Sequence, residues 1–450
     1  MSGDAKEVLP LIRGYLAGAA FAWQDGALIT ADQFLHDVAR LAAVLPDRAF
    51  VLNLCADRYH FTVGFAAALL RRQISLLPPN HTPDLIGQLR GRYPGLYCLT
   101  DAASEFQPLE TFFYHGSADR VQRPLPLPFI PAGQTAAIAF TSGSTGEPDA
   151  VHKSWRSLVY SALAEIDRLP VQSQPGMAIL GTVPPQHMYG LESTVLMVIQ
   201  GGLVLHAGRP FYTADILGEL HALPQPRALV TTPVHLRALL AEPDEFPCVD
   251  FLLCATAPLS RHMAVDAEAR FAAPLHEIYG CTEAGQVASR RTVESAAWHA
   301  LHGLKLRQDE KGTWVQGGHV EQAVLLSDVI ELLDGNAFIL HGRTADLVNI
   351  AGKRTSLAHL DYQLNSIEGV RDGVFIMPEE DDGRITRLMA FVVAPGLTSE
   401  AVTNALRLRI DAAFMPRPLC IVESLPRNTT GKLPRQALER MLSESAGAAG

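Results

Sequence analysis

The segment Phe140-Thr141-Ser142-Gly143-Ser144-Thr145-Gly146-Glu147-Pro148 constrains this 450-residue chain more than any other. An apolar run, residues 135–140, leads into it and reads as a buried strand. The hydroxyls of Thr141, Ser142, Ser144 and Thr145 then alternate with Gly143 and Gly146. Glycine tolerates positive φ, so successive N–H groups can turn inward and form an anion nest. Such a loop suits a polyphosphate, although a plain Ser/Gly turn reads the same way. It lacks the G-x-x-x-x-G-K-[ST] spacing, which disfavours a P-loop NTPase.

Around this loop the chain alternates strands and helices. Residues 31–45 have helical apolar spacing, 49–55 read as a strand, 60–72 as a helix and 75–79 as a strand. Thr82 opens a helix through Tyr93, and residues 96–100 form another strand. The proline-rich segment 107–131 reads as a surface connection between this first α/β layer and the phosphate-loop layer. Ser154 caps the next helix. Strands follow at 177–183, 202–206, 228–232, 251–255 and 275–279. This alternation indicates parallel sheets covered by helices. Residues 314–340 change to strands and tight turns, with Asp334-Gly335 as a hairpin signal. Beyond Arg343, helices at 357–367, 400–414 and 435–442 and strands at 374–377, 388–393 and 420–423 suggest a separate α+β unit.

Three distant stretches complete a pattern with the loop: Tyr279-Gly280-Cys281-Thr282-Glu283; Ser327-Asp328 with Gly342-Arg343; and Leu425-Pro426-Arg427-Asn428-Thr429-Thr430-Gly431-Lys432. In this order they resemble the core motifs of the AMP-forming adenylating superfamily, the group of acyl- and aryl-CoA synthetases, peptide-synthetase adenylation domains and luciferases. The resemblance runs from about Ala31 to Leu438. It implies an α/β fold. A large N-terminal domain of layered α/β sheets with a small β-rich subdomain would span residues 1–342, and a small mobile α+β lid residues 343–450.

The resemblance also implies roles. The 141–146 loop clasps the β- and γ-phosphates of ATP. Tyr279 stacks on adenine beside Gly280, Thr282 bonds the α-phosphate and Glu283 holds Mg²⁺. Asp328 takes both ribose hydroxyls, a task suited to a carboxylate's two acceptor oxygens. Arg343 holds ribose or phosphate, and Lys432 bridges the reacting carboxylate and the α-phosphate. His187, in Pro184-Pro185-Gln186-His187-Met188-Tyr189-Gly190, gates the acid pocket, whose lining includes Met188, Tyr189, Gly190, Ala255 and Thr256.

Four departures from the family pattern stand out. Met188 replaces the aspartate that amino-acid-activating relatives use for the substrate ammonium, which argues against an α-amino acid. Ala255-Thr256-Ala257-Pro258 stands where the family has Gly-Gly-Ala-Pro, which narrows the pocket. Asp149 occupies the place of a loop lysine and would repel polyphosphate, with Lys153 as the nearest substitute. Ala345, with Asp346 next, stands where the family hinge carries an acid or lysine. The Gly-Glu-Pro and His-Lys-Ser-Trp variants resemble the short ligases of aryl-polyene-type pigment pathways.

A net charge of −10 argues against a nucleic-acid partner. No apolar run is long enough to span a membrane, and residues 1–9 show no signal peptide. Six cysteines without C-x-x-C spacing suggest reduced thiols in the cytoplasm. The expected activity is ATP-dependent ligation of a carboxylic acid, such as a hydroxybenzoate, to a phosphopantetheine thiol. An acyl carrier protein is favoured over CoA as acceptor. Residues 343–450 carry 13 Lys+Arg and 13 Asp+Glu, so the whole −10 falls on residues 1–342. Arg407 and Arg409 share one expected helix, which suits an acidic carrier. A fatty acyl-CoA synthetase is the alternative enzyme. A catalytically weak nucleotide-binding partner of a biosynthetic complex is the alternative of another class, motivated by Asp149 and Ala345.

Overall fold

The structure is a computed structural model that describes residues 7–102, 109–116, 124–141, 149–171, 174–243, 245–343, 347–350, 353–378, 388–427, 433, 437 and 440–442. It is an α/β protein, as the alternation of elements predicts. Two large sheets dominate. The first runs in the order Asp149–Ser154, Thr135–Thr141, Ile74–Leu77, Phe50–Asn53, Tyr97–Thr100 and Thr111–Phe113. The second has eleven strands. Its centre is a parallel set, Ala178–Gly181, Arg227–Thr231, Phe251–Cys254 and Leu275–Cys281, continued by antiparallel Gly285–Arg290.

Burial explains why these runs become central strands. Ala178–Gly181 and Phe251–Cys254 are buried at every position. Successive side chains serve opposite faces: Ile179 joins the main core, while Ala178 and Leu180 join a second cluster. The main core takes Val51, Leu77 and Ala137 from the first sheet and Ile179, Val230 and Leu253 from the second. Helix residues Phe34, Phe65, Trp155 and Val159 join them into one cluster. Helix Ala31–Val44 is capped by the Thr30 side chain, and Trp155–Arg168 by Ser154, whose hydroxyl accepts from the Ser157 N–H at 2.9 Å.

The phosphate-loop strand does not form a separate layer. Thr135–Thr141 pairs in parallel with Ile74–Leu77, which places it in the first sheet. Its other neighbour is Asp149–Ser154, an antiparallel strand that the sequence pattern does not announce. The proline-rich connection contributes two short strands, Thr111–Phe113 and Phe129–Pro131. Thr82 precedes helix Pro83–Arg92, but its hydroxyl donates to Asn80 Oδ1 and leaves the helix end uncapped.

The β-rich region consists of the three-stranded sheet Leu304–Asp309, Gly312–Gly317 and Val320–Leu325, and the hairpin Asp328–Leu333 with Ala337–Arg343. Gly335 sits in the hairpin turn at φ 71°. Beyond it, Val348, Leu360, Phe375, Val392, Leu406 and Phe414 build a separate apolar cluster. The helix expected over 400–414 is shorter, Ser399–Arg407, with a 3-10 turn at Ala412–Phe414.

Candidate functional site

The strand Leu275–Cys281 and its return Gly285–Arg290 present the turn that carries Thr282 and Glu283. This turn lies at the C-terminal end of the strand, the edge where α/β sheets bind ligands. Gly280 is required there, because a Cβ would stand 2.4 Å from the Gly285 carbonyl oxygen. Thr282 is half-buried and Glu283 is exposed. Cys281 receives the Ala284 N–H, and burial pushes its thiol up to about 12.

Tyr279 and Asp328 meet directly. The Tyr279 hydroxyl donates to Asp328 Oδ2 at 2.6 Å. The ring is 8% exposed and packs against Trp298 and Phe338 at 5.8 and 5.7 Å. Most of it is therefore spent on the core, and its polar end fixes the carboxylate. Asp328 and Arg343 are cross-strand partners, so the hairpin register alone brings these two motif positions together.

Beneath the Glu283 turn lies a buried polar cluster that the sequence did not reveal. Lys153 is 5% exposed and donates its ammonium to the Glu283 carbonyl at 2.9 Å. Burial lowers its pKa, and Glu192 is the largest opposing influence. Glu192 is itself buried and accepts from Ser161 Oγ at 2.9 Å. Nearby, Gln286 Nε2 donates to Ser193 Oγ, and Ser193 donates to Glu165 Oε1 at 2.6 Å. Burial pushes Glu165 up to about 8 and His319 down to about 4.

The expected acid pocket is built by the short turn after Val183. His187 is half-buried, and its Nδ1 accepts the Tyr189 N–H at 3.3 Å. Tyr189 donates to the Leu253 and Thr231 carbonyls on two parallel strands, which locks the turn to the sheet. Gly190 tolerates no side chain, since a Cβ would meet the Pro184 carbonyl at 1.9 Å. Met188 packs against the main core. Ala255 is buried, and Thr256 adopts φ 84°, a region that β-branched residues avoid. Arg58 went unnoticed in the sequence. Its wholly buried guanidinium donates to the Gly181 and Val183 carbonyls at 2.7 and 3.0 Å, just ahead of Pro184.

Ser142, Gly143, Ser144, Thr145, Gly146 and Lys432, the side chains of Thr141 and Arg343, and the hinge positions Ala345 and Asp346 lie outside the described residues. The loop residues 142–148 connect the paired strands Thr135–Thr141 and Asp149–Ser154.

A profile of the AMP-binding enzyme family matches residues 49–311, more than half of the chain. The chain belongs to the AMP-binding enzyme family. A 4-coumarate–CoA ligase of Rhodobacter capsulatus is 26% identical over 70% of this chain and 79% of its own length. A 3-hydroxybenzoate–CoA/4-hydroxybenzoate–CoA ligase of Thauera aromatica is 23% identical over 67% of this chain and 65% of its own. Among solved structures, O-succinylbenzoate coenzyme A synthetase from Bacillus subtilis in complex with AMP shares the fold. Its TM-score is 0.76 at 19% identity, over 94% of this chain and 95% of that one.

This AMP-binding enzyme is an AMP-forming acid–thiol ligase, and its polar groups suit that chemistry. The Asp328 carboxylate accepts from the Tyr279 hydroxyl at one oxygen. Among the described residues no cluster of three or more His, Cys, Asp or Glu forms a metal cage. One exposed carboxylate, Glu283, fits Mg²⁺, which typically takes one or two carboxylates together with substrate phosphates.

Proposed function

We propose that this enzyme activates an aromatic carboxylic acid and loads it onto a phosphopantetheine thiol, carried by an acidic carrier protein in preference to CoA. The Tyr279–Asp328 contact carries the nucleotide half of this reading: a buried phenol fixes a carboxylate beside the turn that bears Thr282 and Glu283. In the first step a substrate carboxylate oxygen attacks the α-phosphorus. The bond to the bridging oxygen breaks, and pyrophosphate leaves. Asp328 and Arg343 hold the ribose, Thr282 donates to the α-phosphate, and the 141–146 loop holds the outer phosphates. Mg²⁺, when bound, offsets phosphate charge, and Glu283 is its protein ligand. Lys432 bonds both the attacking carboxylate and the α-phosphate. In the second step the thiol sulfur attacks the acyl carbon, AMP leaves, and the thiol proton passes to solvent.

Residues 343–450 act as the mobile lid in this reading, with the boundary at residue 342. The separate apolar cluster beyond Val348 supports that division. The six cysteines carry no disulfide, which fits work in the cytoplasm. An aromatic acid is favoured by the hydroxybenzoate and coumarate relatives, and Met188 in the pocket stretch disfavours an α-amino acid. The carrier preference rests on the lid's charge balance. Arg407 and Arg409 are exposed and flank Leu408, which is 86% exposed, so two cations frame an apolar contact.

ATP–pyrophosphate exchange across aromatic and fatty acids tests the first half, with hydroxybenzoates and coumarates expected to lead. Exchange with long-chain acids alone would select the fatty acyl alternative, and exchange with none the non-catalytic one. Thioester formation on a holo carrier from the same pathway is expected to exceed that on CoA and to fall with salt and with Arg407→Glu/Arg409→Glu. Faster transfer to CoA would remove the carrier preference.

A further inference from the structure

The Asp149–Ser154 strand raises a question that the proposed function leaves open: what Lys153 does when the loop position at 149 is an acid. Asp149 pairs with Thr141 at the loop end of the hairpin, while Lys153 pairs with Ala137. Four residues of strand place the Lys153 backbone about 13 Å from Asp149, further than a lysine side chain extends. The side chain is buried, and its ammonium donates to the Glu283 backbone carbonyl at 2.9 Å.

Burial lowers the pKa of that ammonium, and the Glu192 charge opposes the shift. Ser161 of helix Trp155–Arg168 donates to the Glu192 carboxylate at 2.9 Å. Gly285, at φ 78°, leaves space for that carboxylate, since a Cβ there would stand 2.9 Å from Glu192 Oε1. Glu192 lies in the π-helical segment Leu191–Leu196, directly after the acid-pocket residues His187–Gly190. One buried cation thus ties the second strand of the loop hairpin to the turn bearing Thr282 and Glu283.

We propose that Lys153 is a positioning residue that holds the Thr282–Glu283 turn in place through its bond to the Glu283 carbonyl, and that it does not grip the polyphosphate as a displaced loop lysine. The functional consequence rests on the reading of Glu283 as the Mg²⁺ ligand; the contact itself does not. A cation–carbonyl bond fixes the backbone while leaving the Glu283 carboxylate exposed. The charge that the missing loop lysine would bring to the phosphates is therefore not restored by Lys153.

The test compares the full-length enzyme with Lys153→Met, Lys153→Arg and Glu283→Gln. Calorimetry without acid substrate measures ATP binding with and without Mg²⁺, and hydrogen exchange follows the amides of residues 281–288. For Lys153→Met, metal-free ATP affinity should stay within about 3-fold, the tightening produced by Mg²⁺ should shrink about 10-fold or more, and the turn amides should exchange faster. Lys153→Arg, which can reach the same carbonyl, should recover part of both. Metal-free ATP affinity falling about 10-fold with the Mg²⁺ tightening intact would overturn the proposal and return Lys153 to the phosphates. Unchanged amide exchange would also overturn it. If Glu283→Gln leaves the Mg²⁺ tightening intact, the metal reading of Glu283 fails, and the exchange data still decide the positioning role. Should Lys153→Met misfold because Glu192 loses its counter-charge, Lys153→Met/Glu192→Gln carries the same measurements.

Discussion

Removing one oxygen atom, by Tyr279→Phe, isolates the contact on which the proposed nucleotide site rests. The ring keeps its packing against Trp298 and Phe338, so the fold should be unaffected. What disappears is a 2.6 Å hydrogen bond from a phenol to the Asp328 carboxylate. Hydrogen bonds to charged groups contribute about 1.5–3 kcal/mol, or about 10- to 150-fold in an equilibrium constant. The contact is only partly buried, so the lower end applies, and the KM for ATP should rise about 10-fold. Because ribose binding is the same in the ground and transition states, kcat should change little. Pyrophosphate exchange with ATP, 2′-deoxyATP and 3′-deoxyATP supplies the assay. The native enzyme should lose affinity for both deoxynucleotides. In the Phe variant that further loss should shrink, because both changes act on one carboxylate and are not additive. A KM within about 2-fold of native, or losses that multiply fully, would refute the idea that Tyr279 acts through Asp328.

Lys432→Ala should lower adenylate formation on the order of 10²–10³-fold while sparing thioester formation from pre-made acyl-adenylate; equal losses in both steps would remove its assigned role. Thr256→Gly should relieve about 1–3 kcal/mol of backbone strain at φ 84°, offset by about 0.5–1 kcal/mol of added chain entropy, so urea denaturation should show equal or higher stability, together with turnover of bulkier acids. A clear loss of stability would show that the Thr256 side chain holds the pocket together. Glu165 keeps its proton in the folded state up to about pH 8, whereas the unfolded chain releases it near the ordinary value of 4.5. Its contribution is thus fully present below pH 4.5 and lost as pH rises toward 8, and Glu165→Gln should flatten that slope in denaturation curves measured across the interval.

Much of the candidate nucleotide site is legible because its residues fall in short ordered stretches. Tyr279, Asp328 and Arg343 fall in motifs, and each sits on a strand whose apolar run or hairpin signal is local. Contacts across long sequence separations were not legible. The Lys153–Glu283 bond joins residues 130 apart, and the Arg58–Val183 bond residues 125 apart. Neither lysine nor arginine announces in sequence that it will be buried, since both are usually solvated. The Asp149–Ser154 strand was hidden for the same reason: Asp149, His152 and Lys153 break any apolar alternation, and pairing with Thr135–Thr141 supplies the order that propensity does not. The family resemblance assigns Tyr279 to adenine stacking and says nothing of its hydroxyl. Its burial among aromatics shifts the weight to its hydroxyl.

Arg427 is anchored by a shared carboxylate, Asp372, which bears on how the proposed lid works. Arg427, five positions before Lys432, binds Asp372 with both ends of its fork, at 2.7 and 2.9 Å. Asp372 also meets Arg237 of helix Pro233–Leu240, at 3.3 Å. One buried carboxylate therefore serves two guanidinium groups, and burial lowers the pKa of Arg237. The two contacts are unequal. The bidentate pair lies within residues 343–450, whereas the longer single contact reaches back to helix Pro233–Leu240. Bidentate geometry is the stronger and more directional of the two. A rotating lid would therefore keep Arg427 on Asp372 and release Arg237. Arg427 would travel with the lid, while the cross-contact, with a second cation competing for the same oxygens, adds little resistance to motion.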